Sequence, residues 1–320
     1  MTIQSTSRRD KFRINRAKFL RKIVLQKYMH IMLLPSVIIV FIFAYIPMAG
    51  IYVGFVDYKL GQPVMSAKWA GLDYFIRFFT DATGVTFNVF RNTISLNIIG
   101  IVVGMVFPCL FAILLNELFS SKFKRIVQTI TFFPYFLSPI VVYSIVYIFF
   151  AVNSGVINQI LVDLRIIESG INFLSDPNYA WPTIILTNLW RGFGYSSVIY
   201  LAAITGIDPQ QYEAAEIDGA GRFNRMRYIT LANLKPTINV LLILSIGGLL
   251  GSDFGTMFIF TNALNRERME VFSTYVYRMG LQKLDFSYAT AAGLALSLVG
   301  LFLTLSANNI SKRMTGRAIY

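Results

Sequence analysis

Long uncharged apolar runs alternate along this chain with short charged segments. Six runs stand out: Ile31 to Val56, Thr93 to Asn116, Ile126 to Val152, Trp181 to Ile207 with Arg191 inside it, Thr237 to Thr261 with Asp253 inside it, and Tyr288 to Ile310. Each is long enough to cross a hydrocarbon layer with some tilt. Backbone amides in hydrocarbon need internal partners, so the runs are predicted to be helices. The pattern predicts an all-α integral membrane bundle of six transmembrane helices. Two connecting segments carry shorter amphipathic patterns, SGVINQILVDLRII within 153–180 and RMEVFSTYVYRMGL within 262–287, each read as a short helix at a membrane face. With no clear internal repeat, the chain reads as one membrane domain. It divides into a basic segment 1–30, a first transmembrane helix and external loop 31–92, a five-helix core 93–310 containing a cytoplasmic loop 208–236, and a tail 311–320.

Composition supports this reading. Of 320 residues, 55% are hydrophobic and 14% charged, where a soluble domain carries about 25% charged. The net charge of +13 is distributed one-sidedly. With the N-terminus in the cytoplasm, segments 1–30, 117–125, 208–236 and 311–320 hold 19 Lys/Arg against 6 acids; the opposite segments hold 9 of each. Arg191 and Asp253 cancel. The whole excess falls on the cytoplasmic side, as the positive-inside rule requires, and places both termini there. The basic segment SRRDKFRINRAKFLRKIVLQK reads as a topology determinant on anionic lipid and removes the need for a nucleic-acid partner. The apolar run that follows is too long for a cleaved signal peptide.

The chemistry available is narrow. His30 is the only histidine and Cys109 the only cysteine, which argues against a Cys/His metal centre, an intrachain disulfide and His-based acid–base catalysis. There is no phosphate-binding G-x-x-x-x-G-K-[ST] sequence, and Gly219-Ala220-Gly221 lacks the third glycine of a dinucleotide fingerprint. We find no catalytic constellation, metal site or cofactor site.

The most informative segment joins the fourth and fifth runs: GIDPQQYEAAEIDGAGRFNRMRYITLANLKPT. Asp208 suits an N-cap, Pro209 the first helical position and Gln211 the capping-box partner. A helix is predicted from Pro209 to about Asp218, ended by Gly219 at positive φ. A second is predicted over Arg222 to Leu231, with Pro236 preceding the fifth span. On these residues alone, a capped surface hairpin with solvated charges is a sufficient reading.

The sequence Glu213-Ala214-Ala215, then Asp218-Gly219-Ala220, then Ile229-Thr230-Leu231 and Pro236, resembles the EAA loop of ABC importer permeases. Its extended form resembles that of carbohydrate permeases, in particular those for polysaccharide breakdown products. Ala232 stands where the family usually has proline, and Met226 where an aromatic is common. The resemblance runs from about Asn92 to the C-terminus and includes Asn92-Thr93 and the Gly155-x-x-Asn158 pair. It implies a type I importer permease fold in the bacterial plasma membrane. It also implies a second homologous permease forming a heterodimer, two ABC ATPase subunits that carry the ATP hydrolysis, and an extracytoplasmic solute-binding protein delivering a sugar or oligosaccharide. Residues Glu213, Ala214, Ala215, Asp218, Gly219 and Ala220 would then form the coupling helix docked on the ATPase.

Polar residues inside the spans are the remaining signal. Asn188, Arg191 and Tyr195 recur at three and four residues and so share a helix face; Ser252 and Asp253 lie in the following span. A mid-bilayer charge costs about 2.5–3.5 kcal/mol on insertion scales and faces a cavity or a partner. Two readings stand: a structural Arg191–Asp253 pair, or a substrate pathway, which the resemblance favours because sugar permeases bind substrate between these helices. Trp190, Phe193 and Tyr195 could offer apolar faces to pyranose rings. Gly100/Gly104 and Gly247/Gly251 read as helix-packing pairs. Alternative functions are an importer permease for a non-sugar solute and an ion-coupled secondary transporter. The latter class shows internal symmetry and interrupted helices, and neither is expected here.

Overall fold

The computed structural model describes residues 26–315; most of the basic segment 1–30 and half of the tail 311–320 lie outside this range. Helix α1 (Lys27–Phe55) is wound widely over Phe41–Tyr45 and tightly over Ile46–Phe55. Pro47 lacks an amide hydrogen and crowds the carbonyl four residues back, which the wide turn relieves. Most of α1 exposes its apolar side chains. It meets the rest of the molecule at its far end, where a Cβ on Gly54 would lie 3.2 Å from the Ala291 amide nitrogen. Burial in lipid removes the penalty such a surface would carry in water.

The two-residue strands β1 (Val56–Asp57) and β2 (Lys68–Trp69) pair antiparallel. The Ser287 hydroxyl donates to the Val56 carbonyl at 2.6 Å and accepts from the Tyr58 amide at 2.9 Å. These bonds tie the loop that follows α1 to the last helix. Helix α2 (Asp73–Phe79) follows, then α3 (Val85–Asn116). The turn before α3 is organised by the Asp81 carboxylate. Burial raises its pKa, but hydrogen bonds from Thr83 and Thr86 outweigh this and hold it at about 2.

Two of the spans expected to be continuous are interrupted. The third, expected over Ile126 to Val152, consists of α4 (Ser121–Phe136) and α5 (Pro139–Phe150), which meet at 108°. Pro134 removes a helical donor, Ser138 is extended before Pro139, and the Ser138 hydroxyl accepts from the Val141 amide at 3.4 Å as a new N-cap. The fifth, expected from Thr237 to Thr261, is α9 (Arg222–Gly247), then an unwound stretch 248–253, then α10 (Phe254–Phe260). Gly247, Gly248 and Gly251 loosen the helix, the Gly251 amide turns back onto the Gly248 carbonyl at 2.8 Å, and Asp253 caps the new start. No boundary exists at Pro236, which lies inside α9.

Helix α6 (Val156–Asp163) forms within the first of the two expected amphipathic segments. The long α7 (Pro177–Thr205), α8 (Pro209–Ile217), α11 (Arg266–Met269), α12 (Phe272–Tyr277, continued by a wide turn to Gln282) and α13 (Phe286–Thr315) complete the chain. Among the described residues, four helices are long and apolar enough to span a membrane, and five if the bent pair counts as one. Helix α7 has the length, at 29 residues, but its polar side chains set it apart.

Three buried clusters hold the bundle. One joins α2, α3, α12 and α13 around Phe78, Tyr275 and Tyr288. A second joins α5, α7 and α10 around Val142, Ile184 and Phe260. The third packs Cys109, Ala112 and Ile113 of α3 against Tyr200, Leu201 and Ile204 of α7. Within this chain Gly100 and Gly104 are not close-packed: a Cβ at either meets nothing within 4 Å.

The Gly155-x-x-Asn158 pair is a loop staple. A Cβ on Gly155 would overlap the Ala151 carbonyl. Buried Asn158 donates to the carbonyls of Ala151 and Ile171 at 2.9 Å each and accepts from the Ile171 amide at 2.9 Å. Replacing Asn158 with Leu strands these groups and is expected to destabilise the protein by at least about 2 kcal/mol. Thermal unfolding of the detergent-solubilised protein measures this; an unchanged midpoint contradicts the staple.

Candidate functional site

Two regions carry the polar residues singled out in the sequence. The first is a charged bridge inside the apolar bundle. Arg191 projects from the middle of α7 and donates through Nη1 to Asp253 Oδ2 at 3.2 Å and to Thr256 Oγ1 at 3.3 Å. Asp253 ends the unwound stretch and caps α10, accepting from the Thr256 amide at 3.3 Å and its hydroxyl at 2.6 Å. Asp253 therefore acts as a helix cap and as a counter-ion. The Arg191 side chain is 21% exposed and that of Asp253 51%, so the carboxylate is the more open half of the pair. The Arg191 Nε is buried and has no partner.

The other pathway candidates do not converge on this pair. Asn188, one turn before Arg191, is exposed and lines a cavity of about 130 Å³ between α3 and α7, beside Gly100, Gly104, Gly192 and Ser196. Tyr195 stacks on Tyr135 of the α4–α5 bend, with ring centroids 3.8 Å apart and planes within 3°. The Ser252 and Ser273 hydroxyls share a hydrogen bond at 2.8 Å, turning Ser252 toward α12. Trp190 and Phe193 lie on another face of α7, together lining an apolar crevice with Phe107 and Leu110. Thr256, Tyr135 and Ser273 were not singled out from the sequence. A hydroxyl three residues after an aspartate was the available signal for Thr256, and the Pro134/Pro139 pair the signal for a bend that exposes Tyr135.

The second region is the hairpin made by α8 and the start of α9. Asp208 caps α8, accepting from the Gln210 amide at 3.0 Å. The helix ends in a Schellman motif: Gly219, at φ +75°, donates to the Glu216 carbonyl at 3.1 Å, and the Ala220 amide donates to the Ala215 carbonyl at 2.8 Å. Gln211 does not close the expected capping box. Its carbonyl accepts from Asn233 Nδ2 at 2.9 Å instead. Two further bonds brace α8 against α9, Tyr212 Oη with Thr230 Oγ1 at 2.9 Å and Arg225 Nη1 to Glu216 Oε2 at 3.0 Å. These bonds turn Glu213, Ala214, Asp218 and Gly219 outward, with Ala215 and Ala220 half-buried. Ile217, at the end of α8, is 88% exposed. This residue was not singled out from the sequence.

Residues 104–316 match the family described as the binding-protein-dependent transport system inner membrane component. The polygalacturonan/rhamnogalacturonan transport system permease protein YteP of Bacillus subtilis (strain 168) is 42% identical over 305 residues, covering 95% of this chain and 94% of the relative. The fold matches a chain in the crystal structure of a bacterial ABC transporter involved in import of the acidic polysaccharide alginate. The TM-score is 0.84 and the identity 34%, over 93% of this chain and 99% of the other. A structure of bacterial alginate ABC transporter in complex with an alginate pentasaccharide-bound periplasmic protein matches with a TM-score of 0.84 and 33% identity, over the same shares of the two chains.

Proposed function

This chain belongs to the family of binding-protein-dependent transport system inner membrane components, and from that premise we propose that it forms one half of the pathway of an ATP-driven oligosaccharide importer. A second, homologous permease supplies the other half as a heterodimer. Two ATPase subunits dock on the α8 hairpin from the cytoplasm, and an extracytoplasmic binding protein delivers the sugar. The chain crosses the bacterial plasma membrane six times with both termini inside. The five-helix core 93–310 carries the pathway, and the segments 1–30, 31–92 and 311–320 flank it.

The observation that carries the substrate side is the half-open Arg191–Asp253 bridge beside the unwound stretch 248–253. Non-helical backbone at membrane depth is tolerated where protein buries it or where it lines a wet cavity. A half-exposed carboxylate beside it favours the wet cavity. The pair presents acceptors and donors suited to sugar hydroxyls. Because Asp253 already neutralises Arg191, a sugar carboxylate would have to displace Asp253 to use the guanidinium. Tyr195, stacked on Tyr135, adds an apolar platform for a pyranose ring. On the ATPase side, Glu213 offers a charge, and Ala214 with Ile217 offers a small and an apolar contact.

Reconstitution tests the reading. The permease pair, ATPases and binding protein in liposomes are expected to take up radiolabelled oligosaccharides only with both ATP and the binding protein present. Offered side by side, neutral oligosaccharides, uronate oligosaccharides and peptides separate the substrate classes. Uptake of peptides in preference to both sugars overturns the proposal.

A further inference from the structure

We propose that Arg222 is a positioning residue that ties the coupling hairpin to the cytoplasmic end of α3, so that a push on α8 reaches the α3–α7 pair directly. The proposal rests on the coupling reading given above.

Helix α8 is attached to the chain at both ends by glycine, Gly206 after α7 and Gly219 with Gly221 before α9. Glycine backbones are permissive, so covalent connection alone transmits a displacement poorly. The three braces from Gln211, Tyr212 and Glu216 fasten α8 to α9 and make the hairpin one body. Apolar packing of Tyr212, Met226, Ile229 and Leu234 against Cys109, Ala112, Tyr200 and Ile204 seats that body on the α3–α7 pair, but such contacts are non-directional.

Arg222, the first residue of α9, adds a directional polar tie to the end of α3. Its Nη2 donates to the Glu117 backbone carbonyl at 3.1 Å, and its Nε lies 3.5 Å from Glu117 Oε2. Its guanidinium sits over the Phe119 ring, 4.3 Å from the centroid. Glu117 is the C-cap of α3, whose terminal carbonyls lack helical donors and attract cations. One planar fork thus meets a carbonyl, a carboxylate and a ring, a combination that lysine's point charge does not reproduce. Phe119 is 90% exposed, so burial does not explain its place beneath the guanidinium. From Glu117 the path continues along α3, where Cys109, Ala112 and Ile113 pack against Tyr200, Leu201 and Ile204 of α7. Arg191 stands on that same α7, so the joint links the coupling surface to the helix that carries the substrate-side pair.

Arg222 and Glu117 side chains are 49% and 27% exposed. Ion pairs this open contribute little to stability, so removing the joint is expected to spare folding. The test uses the complete complex in liposomes, comparing sugar uptake with ATP hydrolysed. Arg222→Ala is expected to leave subunit assembly and unfolding temperature unchanged. Uptake per ATP should fall at least about twofold, the lower range of coupling between contacting residues. Arg222→Lys should restore little of it. Glu117→Ala and Phe119→Ala, which lie off the docking hairpin and keep the bond to the Glu117 carbonyl, should each show part of the defect, and Arg222→Ala with Glu117→Ala should be no worse than Arg222→Ala alone.

A wild-type ratio in Arg222→Ala overturns the joint. So does loss of bound ATPase in Arg222→Ala while Glu117→Ala and Phe119→Ala transport normally, since Arg222 would then contact the ATPase itself. If Arg222→Ala fails to assemble, the Glu117→Ala and Phe119→Ala ratios decide the matter alone. Glu213→Lys separates the two levels. If it disturbs ATPase binding while Arg222→Ala couples normally, only the joint fails; if neither has an effect, the coupling reading fails with it.

Discussion

Arg191→Ala is expected to lower oligosaccharide uptake about tenfold or more, the scale of losing one hydrogen bond to a charged group, while basal ATP hydrolysis and complex assembly persist. The residue sits at mid-span, bridges α7 to the cap of α10, and carries the charge that balances Asp253. A purely structural pair predicts a different outcome. Removing one partner then leaves an unpaired charge and reduces expression, and removing both restores expression and uptake together. The second substitution has to respect the cap: Asp253→Ala also strips the acceptor for the Thr256 amide, at a cost of about 0.5–2 kcal/mol. Asp253→Asn keeps the cap and removes the charge. In Arg191→Ala with Asp253→Asn, assembly should persist as in the single variant and uptake should stay low. Full uptake in that double variant eliminates substrate contact by this pair.

Gly219→Pro is expected to abolish coupled transport while leaving the permease in the membrane. Gly219 holds φ at +75° and its amide closes the Schellman motif on Glu216. Proline fixes φ near −65° and has no amide hydrogen, so both features are lost together. The end of α8 must then unwind or swing, carrying Ile217 and Asp218 with it. Gly219→Ala offers a graded comparison, retaining the amide at a cost of about 1 kcal/mol for the left-handed backbone. Glu213→Lys tests the same surface without touching the backbone. It reverses an exposed charge and is expected to release the ATPase from the complex. Co-purification of the ATPase and sugar-stimulated hydrolysis report both effects; wild-type values in Gly219→Pro and Glu213→Lys exclude the docking role.

The parts of this molecule that were legible in the sequence share a local cause. Helix α8 was legible from end to end because Asp208, Pro209 and Gly219 each act within a few residues, through capping, fixed φ and positive φ. The short helix over Val156–Asp163 and the helical character of the long runs were equally readable, since apolar periodicity is local. The Arg191–Asp253 partnership was available as one of two readings because each charge is alone in its span.

Other features were decided by chain that lies far away. The two interrupted spans carried visible markers, Pro134 with Pro139 and Gly247, Gly248 with Gly251, but an apolar run averages over such residues and reads as continuous. Whether a proline kinks a helix or breaks it depends on what replaces the lost bonds. Here Ser138 and Asp253 supply new caps, and Arg191 arrives from 62 positions earlier to hold the second one. Gln211 shows the same dependence: its sequence position suits a capping box, yet Asn233 competes for it once α9 lies alongside. Gly100 and Gly104 fit a packing motif and line a cavity instead.

The sequence by itself determined that the chain is a helical membrane protein, that its positive excess gathers in alternate connecting segments, and where the α8 hairpin begins and ends. Those properties follow from hydrocarbon thickness, charge distribution and backbone conformation, all of which act within a window of about 20 residues. Only the tertiary structure decided that two spans are broken, that Tyr195 stacks on Tyr135 while Arg191 is held by Asp253 and Thr256, and that Arg222 grips the end of α3 across 105 positions. The physical reason is that a side chain's hydrogen-bond partner is set by which elements pack together, and that packing is a property of the whole bundle.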